Sequence, residues 1–338
     1  MHRARLATLY GIASVAALGT LAFSLSVGRF PISLGELGSL LWSSLTGAAA
    51  SAPPNADIVL FNIRGPRIIG AFAVGAALAS AGAAYQNLFR NPLVSPDILG
   101  VSAGAALGAV VGIFLSMPIV AIQALAFSGG LAAVLAIYMI GDRIRGHDPV
   151  LTLVLSGVVV GSLLGAGIAL TKYLADPYNQ LPAITYWLLG SFASVSRSDL
   201  RMALPVIAMA MLPLYLLRWR INLLALPDDE ARALGLDVRK TRVIVIIAAT
   251  LMTAASVAIC GIIGWIGLVV PHAVRLLAGA EFSRLLPLSM LIGGTFMLAV
   301  DTLGRTVAPI EIPPGVLTAA IGTPVFIWLM AATFRRRA

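Results

Sequence analysis

Apolar stretches long enough to cross a bilayer follow one another along almost the whole chain, and only one sizeable polar island interrupts them. The island, residues 218–242, reads RWRINLLALPDDEARALGLDVRKTR. Each crossing helix needs about 20 apolar residues. Runs starting near Leu6, Ile68, Ile98, Ile119, Val150, Leu200, Val243, Ile262, Leu285 and Gly315 therefore predict roughly ten spans. Residues 243–277 are nearly continuous and divide only at Cys260 and Gly261. The predicted fold is an all-α polytopic integral membrane protein. It is a single transmembrane domain over 1–338, with short helices in a polar region at 222–240 between the sixth and seventh spans.

Composition closes off several function classes. With 59% hydrophobic and 11% charged residues, an ordinary soluble domain is excluded. Cys260 is the single cysteine, so no disulfide or cysteine metal site can form within one chain, and His2, His147 and His272 are too scattered for a ligand set. No bound metal is expected. The net charge of +9 lies between the apolar runs and forms no stripe, which argues against nucleic acid. An apolar run of about twenty residues after Arg3 and Arg5, with many spans behind it, predicts a retained first helix and not a cleaved signal.

Charge also predicts orientation. With the N-terminus inside, 16 of the 23 basic residues fall on inner loops: Arg3, Arg5, Arg90, Arg143, Arg145, Arg218, Arg220, Arg232, Arg239, Lys240, Arg242, Arg275, Arg284, Arg335, Arg336 and Arg337. Seven fall outside: Arg29, Arg64, Arg67, Lys172, Arg197, Arg201 and Arg305. The bias predicts N-in, C-in and a cytoplasmic island.

Within the island, Pro227 suits a first helical turn, Asp228, Asp229 and Glu230 complement the N-terminal dipole, and Gly235 suits the C′ position. The predicted helix has about two turns, too few to be stable alone. Leu223, Leu224, Leu226, Leu234 and Leu236 would face protein, leaving the charged set, including Arg232, for a partner. The island is thus either a surface turn or a cytoplasmic coupling element.

Small residues at four-residue spacing mark three spans: Ala71, Gly75, Ala79 and Ala83; Gly100, Gly104, Gly108 and Gly112; and Gly157, Gly161 and Gly165. Such faces let helix backbones approach closely, for static packing or for sliding. Residues 184–191 are too short to span, and Tyr186 and Trp187 suit an interfacial helix at the outer mouth.

No phosphate loop, H-E-x-x-H or G-x-S-x-G occurs, so the chain is predicted to be no enzyme. Uphill movement would draw on an ion gradient or on a separate subunit. Most carboxylates lie in loops. Only Asp301 approaches a span interior, with Arg305 one turn on, which counts against an ion-gradient-coupled secondary transporter while leaving it open. Arg64, Arg67 and Arg305 stand outside against the charge bias. They can meet carboxylates of an external partner, or snorkel and pair with Asp57 and Asp301. Asn91, Pro92 and Leu93 form a rigid inner turn, and His272 beside Arg275 suits a hydrogen-bonding structural role more than a proton relay.

Several ordered motifs together resemble a family, the vitamin B12, haem and iron-siderophore permeases of the type II ATP-binding-cassette importers. They are Arg64-Gly-Pro-Arg67, Arg90-Asn-Pro-Leu93, Pro96-Asp-Ile-Leu-Gly100, Trp187-Leu-Leu-Gly-Ser191, Gly267-Leu-Val-Val-Pro-His272, and a final set from Asp301, Arg305, Glu311, Pro313 and Gly315 to Gly322-Thr-Pro-Val-Phe326. The resemblance covers nearly the whole chain.

It implies a multi-pass permease of the bacterial inner membrane that works as a homodimer by alternating access. Two cytoplasmic ATPase subunits would supply ATP and Mg chemistry, and a periplasmic or lipid-anchored solute-binding protein would deliver a metal chelate. This chain would bind no cofactor itself. By position, Pro227, Asp228, Asp229, Glu230, Arg232, Leu234 and Gly235 match the ATPase-coupling segment. Asn91 and Leu93 match the cytoplasmic gate, and Arg64, Arg67 and Arg305 match arginines that meet the binding protein. Residues 95–100 resemble iron-chelate members, so the expected cargo is a ferric siderophore, with haem, cobalamin and molybdate as alternatives. The family usually has glycine where Pro227 stands, and Asp-His-Arg near residues 280–284, which here read AEFSR.

Overall fold

The computed structural model describes residues 2–47, 51–143 and 149–335. Arg145, His147, Arg336 and Arg337, which entered the sequence reading, lie outside the described residues.

Among the described residues every regular element is helical. The order is α1 (His2–Ser26), α2 (Leu34–Thr46) and α3 (Ala56–Ile58), which runs through a π turn (Val59–Arg64) into α4 (Gly65–Leu88). A 3-10 turn (Pro96–Leu99) leads to α5 (Val101–Phe114), α6 (Ile119–Arg143), α7 (Pro149–Leu174), α8 (Gln180–Leu189), α9 (Arg197–Leu216) and α10 (Arg218–Ile221). A second 3-10 turn (Asn222–Ala225) precedes α11 (Asp228–Ala233), α12 (Val238–Cys260), α13 (Ile266–Ala278), α14 (Phe282–Thr306) and α15 (Pro314–Arg335).

Eight of these helices are long and apolar enough to cross a membrane, and α5 and α13 are shorter apolar helices at the third and eighth predicted positions. The expected split falls at Cys260, where Gly261 takes φ 73° and ends α12. The second span starts earlier than Ile68. It begins at Ala56 and runs 33 residues, so Arg64 and Arg67 lie inside a helix and not at its end.

Helix α4 sits at the centre because its Gly/Ala-rich sequence lets four neighbours reach its backbone. Of its most apolar window, 83% is buried, against none for α1 and 17% for the seventh helix. A Cβ on Gly82 would lie far inside van der Waals contact of the Gly267 carbonyl on α13, and one on Gly75 would strike the Gly293 carbonyl on α14. On α5, Gly104 and Gly108 likewise admit Gly129 and the Leu125 carbonyl of α6. Small residues therefore replace side-chain interdigitation with backbone contact. The stripe on α7 behaves differently. Gly157 abuts the Ile98 carbonyl, but Gly161 and Gly165 have nothing within 4 Å. Of this stripe only Gly157 meets another element within the described residues, while Gly167, off the stripe, meets the Leu107 side chain.

Helix α2 was not anticipated from sequence. Ser33 caps it in a capping box with Glu36, and it rests Leu37 and Leu40 against Ile32, Ala56 and Leu60.

Candidate functional site

Charged side chains gather at the two ends of the bundle. One end holds Arg90, the pair Asp142 and Arg239, residues 218–242, and the pair Glu281 and Arg284. The other holds Arg29, Arg64, Arg67, Asp301, Arg305 and Glu311.

At the first end the island is nailed to the end of α4. The Asn87 carboxamide donates to the Ile221 carbonyl at 2.6 Å, and Arg90 Nε donates to the Leu224 carbonyl at 2.9 Å. Arg90 also reaches Asp228 Oδ1, on the first residue of α11, at 2.7 Å. Asp228 accepts a second cation, Arg242 on α12, at 3.2 Å. Partial burial pushes the Asp228 carboxyl up, but Arg242 and then Arg90 outweigh it and hold it below the usual carboxylate range.

Helix α11 is short, six residues, with Pro227 at its N-cap and not inside the first turn. Its other end is a full Schellman closure: Gly235, at φ 82°, donates to the Arg232 carbonyl and Leu236 donates to that of Ala231. Leu236, Leu224 and Ala231 are buried. Asp229, Glu230, Arg232, Leu234 and Gly235 are exposed, and Arg232 spans back to Asp229 at 2.9 Å. The apolar side thus holds the helix on the bundle and leaves a charged ridge with Leu234 uncovered.

Immediately past Arg90, the Asn91 carboxamide oxygen accepts the Leu93 N–H at 2.9 Å, closing an Asx turn with Asn91 and Leu93 exposed. Arg90 itself takes φ 51°, a left-handed conformation rare for a residue with a Cβ. The candidate coupling segment and the candidate gate turn are therefore joined through Arg90, which the sequence marks by its charge and by the Arg90-Asn-Pro-Leu93 motif but gives no role of its own.

At the opposite end the three arginines are not exposed, and of the two readings left open by the sequence the pairing with Asp301 is the one seen, through Arg67. Arg64 is buried and donates to the Leu25 carbonyl at 2.6 Å and to that of Phe30. Arg305, also buried, donates to Val27 O at 2.7 Å and to Ser24. Together they satisfy carbonyls at the end of α1 and in the turn that follows it. The two guanidinium groups come so close to Gly28 that a Cβ there would lie 2.6 Å from Arg64 Nη2 and 2.9 Å from Arg305 Nη1. Arg67 sits between two carboxylates, Asp301 at 2.9 Å and Glu311 at 3.0 Å. Asp57 is exposed and is not their partner.

His272 also departs from expectation. Neither ring nitrogen meets a protein partner among the described residues, and its ring stands 6.2 Å from that of Phe326. A cavity of about 470 Å³ opens at the end away from the island, between the α5–α6 turn, α8 and the end of α12. Gln123, Tyr186, Trp187 and Ser191 line it, with no charged side chain. No cluster of metal-binding side chains occurs among the described residues.

Against known proteins, the sequence model of the FecCD transport family matches residues 15–332. The molybdate import system permease protein of Haemophilus influenzae is 38% identical over 307 residues, 91% of this chain and 90% of that one. The cobalamin import system permease protein of Halobacterium salinarum is 41% identical over 300 residues, 87% of this chain and 80% of the relative. Among solved structures, an inward-facing conformation of a metal-chelate type ABC transporter superposes with a TM-score of 0.87 at 35% identity, covering 96% of this chain and 99% of that one.

Proposed function

This chain belongs to the FecCD transport family, as a permease of ABC importers, and from that premise we propose that two copies form the translocation path of a metal-chelate importer in the bacterial inner membrane. All ten apolar helices cross, with both termini in the cytoplasm. Two ATPase subunits seat on the ridge of Asp229, Glu230, Arg232 and Leu234, and hydrolyse ATP with Mg. A solute-binding protein docks at the opposite end, where Arg67 carries the exposed-edge carboxylate of Glu311. The turn at Asn91 and Leu93 is the cytoplasmic gate.

The observation that carries this reading is the attachment of the island to α4. A six-residue helix with an uncovered charged ridge is held by Arg90 one residue before the gate turn. A force applied to the ridge has a short route to the gate. The ion-gradient alternative is weakened by Asp301, whose carboxylate is fully buried and engaged by Arg67 through both oxygens. Such a group is poorly placed to exchange a proton or sodium ion.

For cargo we favour a ferric siderophore, on the likeness of residues 95–100 to iron-chelate members. Molybdate is the second reading, favoured by the 38% identity to a molybdate permease across nine-tenths of the chain. The deciding experiment is uptake into proteoliposomes holding the permease, its ATPase and its binding protein, offered labelled ferric siderophore, molybdate and cobalamin separately. ATP-dependent accumulation of the siderophore supports the reading. Accumulation by the permease alone under a proton or sodium gradient overturns it.

A further inference from the structure

Arg90 makes contacts that neither capping nor packing of its own helix requires. Its Nε takes the Leu224 carbonyl, ahead of α11, while Nη2 takes Asp228, the first residue within it. One planar guanidinium thus grips the coupling segment at two points four residues apart, and a lysine has no such fork. The backbone of Arg90 is equally unusual. At φ 51° it reverses the chain between the end of α4 and the turn that begins at Asn91, and a non-glycine residue keeps that conformation only when its surroundings hold it there.

The left-handed backbone is that of a Schellman closure of α4, with the Arg90 N–H donating to the Asn87 carbonyl at 3.3 Å and the Asn91 N–H to the Gln86 carbonyl at 3.1 Å, and the two side-chain contacts tie that closure to the coupling segment. The rest of α11 is lightly attached: Ala231 and Leu236 are its buried apolar anchors, and Arg232 folds back on Asp229 and Asp228 without reaching another element. Displacement of α11 therefore acts on the bundle through Asp228. From there it divides between Arg242, on α12, and Arg90, in the closure of α4.

We propose that Arg90 is the positioning residue that relays movement of the coupling helix to the gate turn, with Asp228 as its handle and its own left-handed backbone as the pivot. The inference rests on the reading of residues 227–235 as the ATPase-coupling segment. Arg242 anchors Asp228 to α12 and is not part of the relay. When Asp228 shifts, the Arg90 fork loses its second point of attachment, and the closure of α4 that it braces is free to reorient. The Asx turn of Asn91 and Leu93 then changes direction. Leu93, exposed at the tip, moves furthest.

The test uses the permease–ATPase complex in nanodiscs, with a nitroxide on Leu93→Cys in a Cys260→Ala background. The readout is the change in spectral line shape on adding ATP, Mg and vanadate, with ATP hydrolysis measured in parallel. Wild type is expected to show the change. Arg90→Gln is expected to reduce it roughly fivefold or more while the ATPase stays bound and hydrolyses ATP, a size typical of coupling between sites, and Asp228→Asn is expected to reduce it at least as much. The double variant is expected to be no worse than either single one, because both remove one link. Arg242→Gln is expected to retain the change, and Arg90→Lys to restore only part of it.

A full line-shape change in Arg90→Gln, or additive losses in the double variant, overturns the relay while leaving the coupling assignment intact. If wild type itself gives no nucleotide-dependent change, or the ATPase does not bind residues 227–235, the coupling assignment fails and the relay falls with it.

Discussion

Arg67 on α4 and Asp301 on α14 face one another across a closely packed helix pair, with both carboxylate oxygens accepting from one guanidinium at 2.9–3.1 Å. Asp301 has no exposed surface, and Arg67 keeps 12% of its side chain accessible. Breaking such a pair from one side leaves a buried charge. We expect Arg67→Met to destabilise the protein by about 3–5 kcal/mol, read as a fall in unfolding midpoint in detergent micelles. The double variant Arg67→Met/Asp301→Leu should recover much of that loss.

Arg64→Glu would set a carboxylate against the Leu25 and Phe30 carbonyls that the guanidinium now satisfies. The expected result is loss of folded protein, seen in expression and size-exclusion profiles, and not a well-folded permease with weakened, salt-sensitive docking.

Glycine substitutions should separate the two kinds of stripe. Gly82→Ala drives a methyl into the Gly267 carbonyl, where backbone and not a flexible side chain must yield. The cost should be at or above the usual 1–3 kcal/mol of overpacking. Gly161→Ala and Gly165→Ala meet open space and should unfold at the wild-type midpoint. Gly161→Leu should instead weaken association between two copies, measured by crosslinking in native membranes, if α7 meets its counterpart there.

The network at Asp228 has a defined pH window. Because its folded pKa is depressed by Arg242 and Arg90 despite partial burial, its contribution is fully present above the unfolded value of about 4 and is lost as pH falls through the lower folded value. Hydrogen exchange over residues 221–236 should therefore be protected equally from pH 5 to pH 8 after correction for intrinsic rates, and rise only in stronger acid. Asp228→Asn should show the exposed pattern throughout.

Much of the architecture was legible because apolar run length and charge punctuation act locally. The division at Cys260 and Gly261, the closure of α11 at Gly235 and the packing glycines of α5 all follow from residues adjacent in the chain. The Ser33 and Glu36 box that starts α2 was equally local and was overlooked, because attention to spanning length passes over a 13-residue helix. The arginine cluster stayed undecided in the sequence for a different reason. Arg67 meets partners 234 and 244 positions away, and Arg64 meets a carbonyl 39 positions away. No pattern along the chain distinguishes an arginine satisfied in this way from one left exposed. The same holds for Arg90 and Asp228, 138 positions apart.

Leu234 is exposed beside the charged ridge of α11, which makes it the natural reporter for the coupling assignment. With Leu234→Cys in a Cys260→Ala background, a membrane-impermeant maleimide should label inverted vesicles and not intact cells, and bound ATPase should block the labelling. Labelling from the outside of intact cells, or labelling that the ATPase leaves unchanged, would contradict the account.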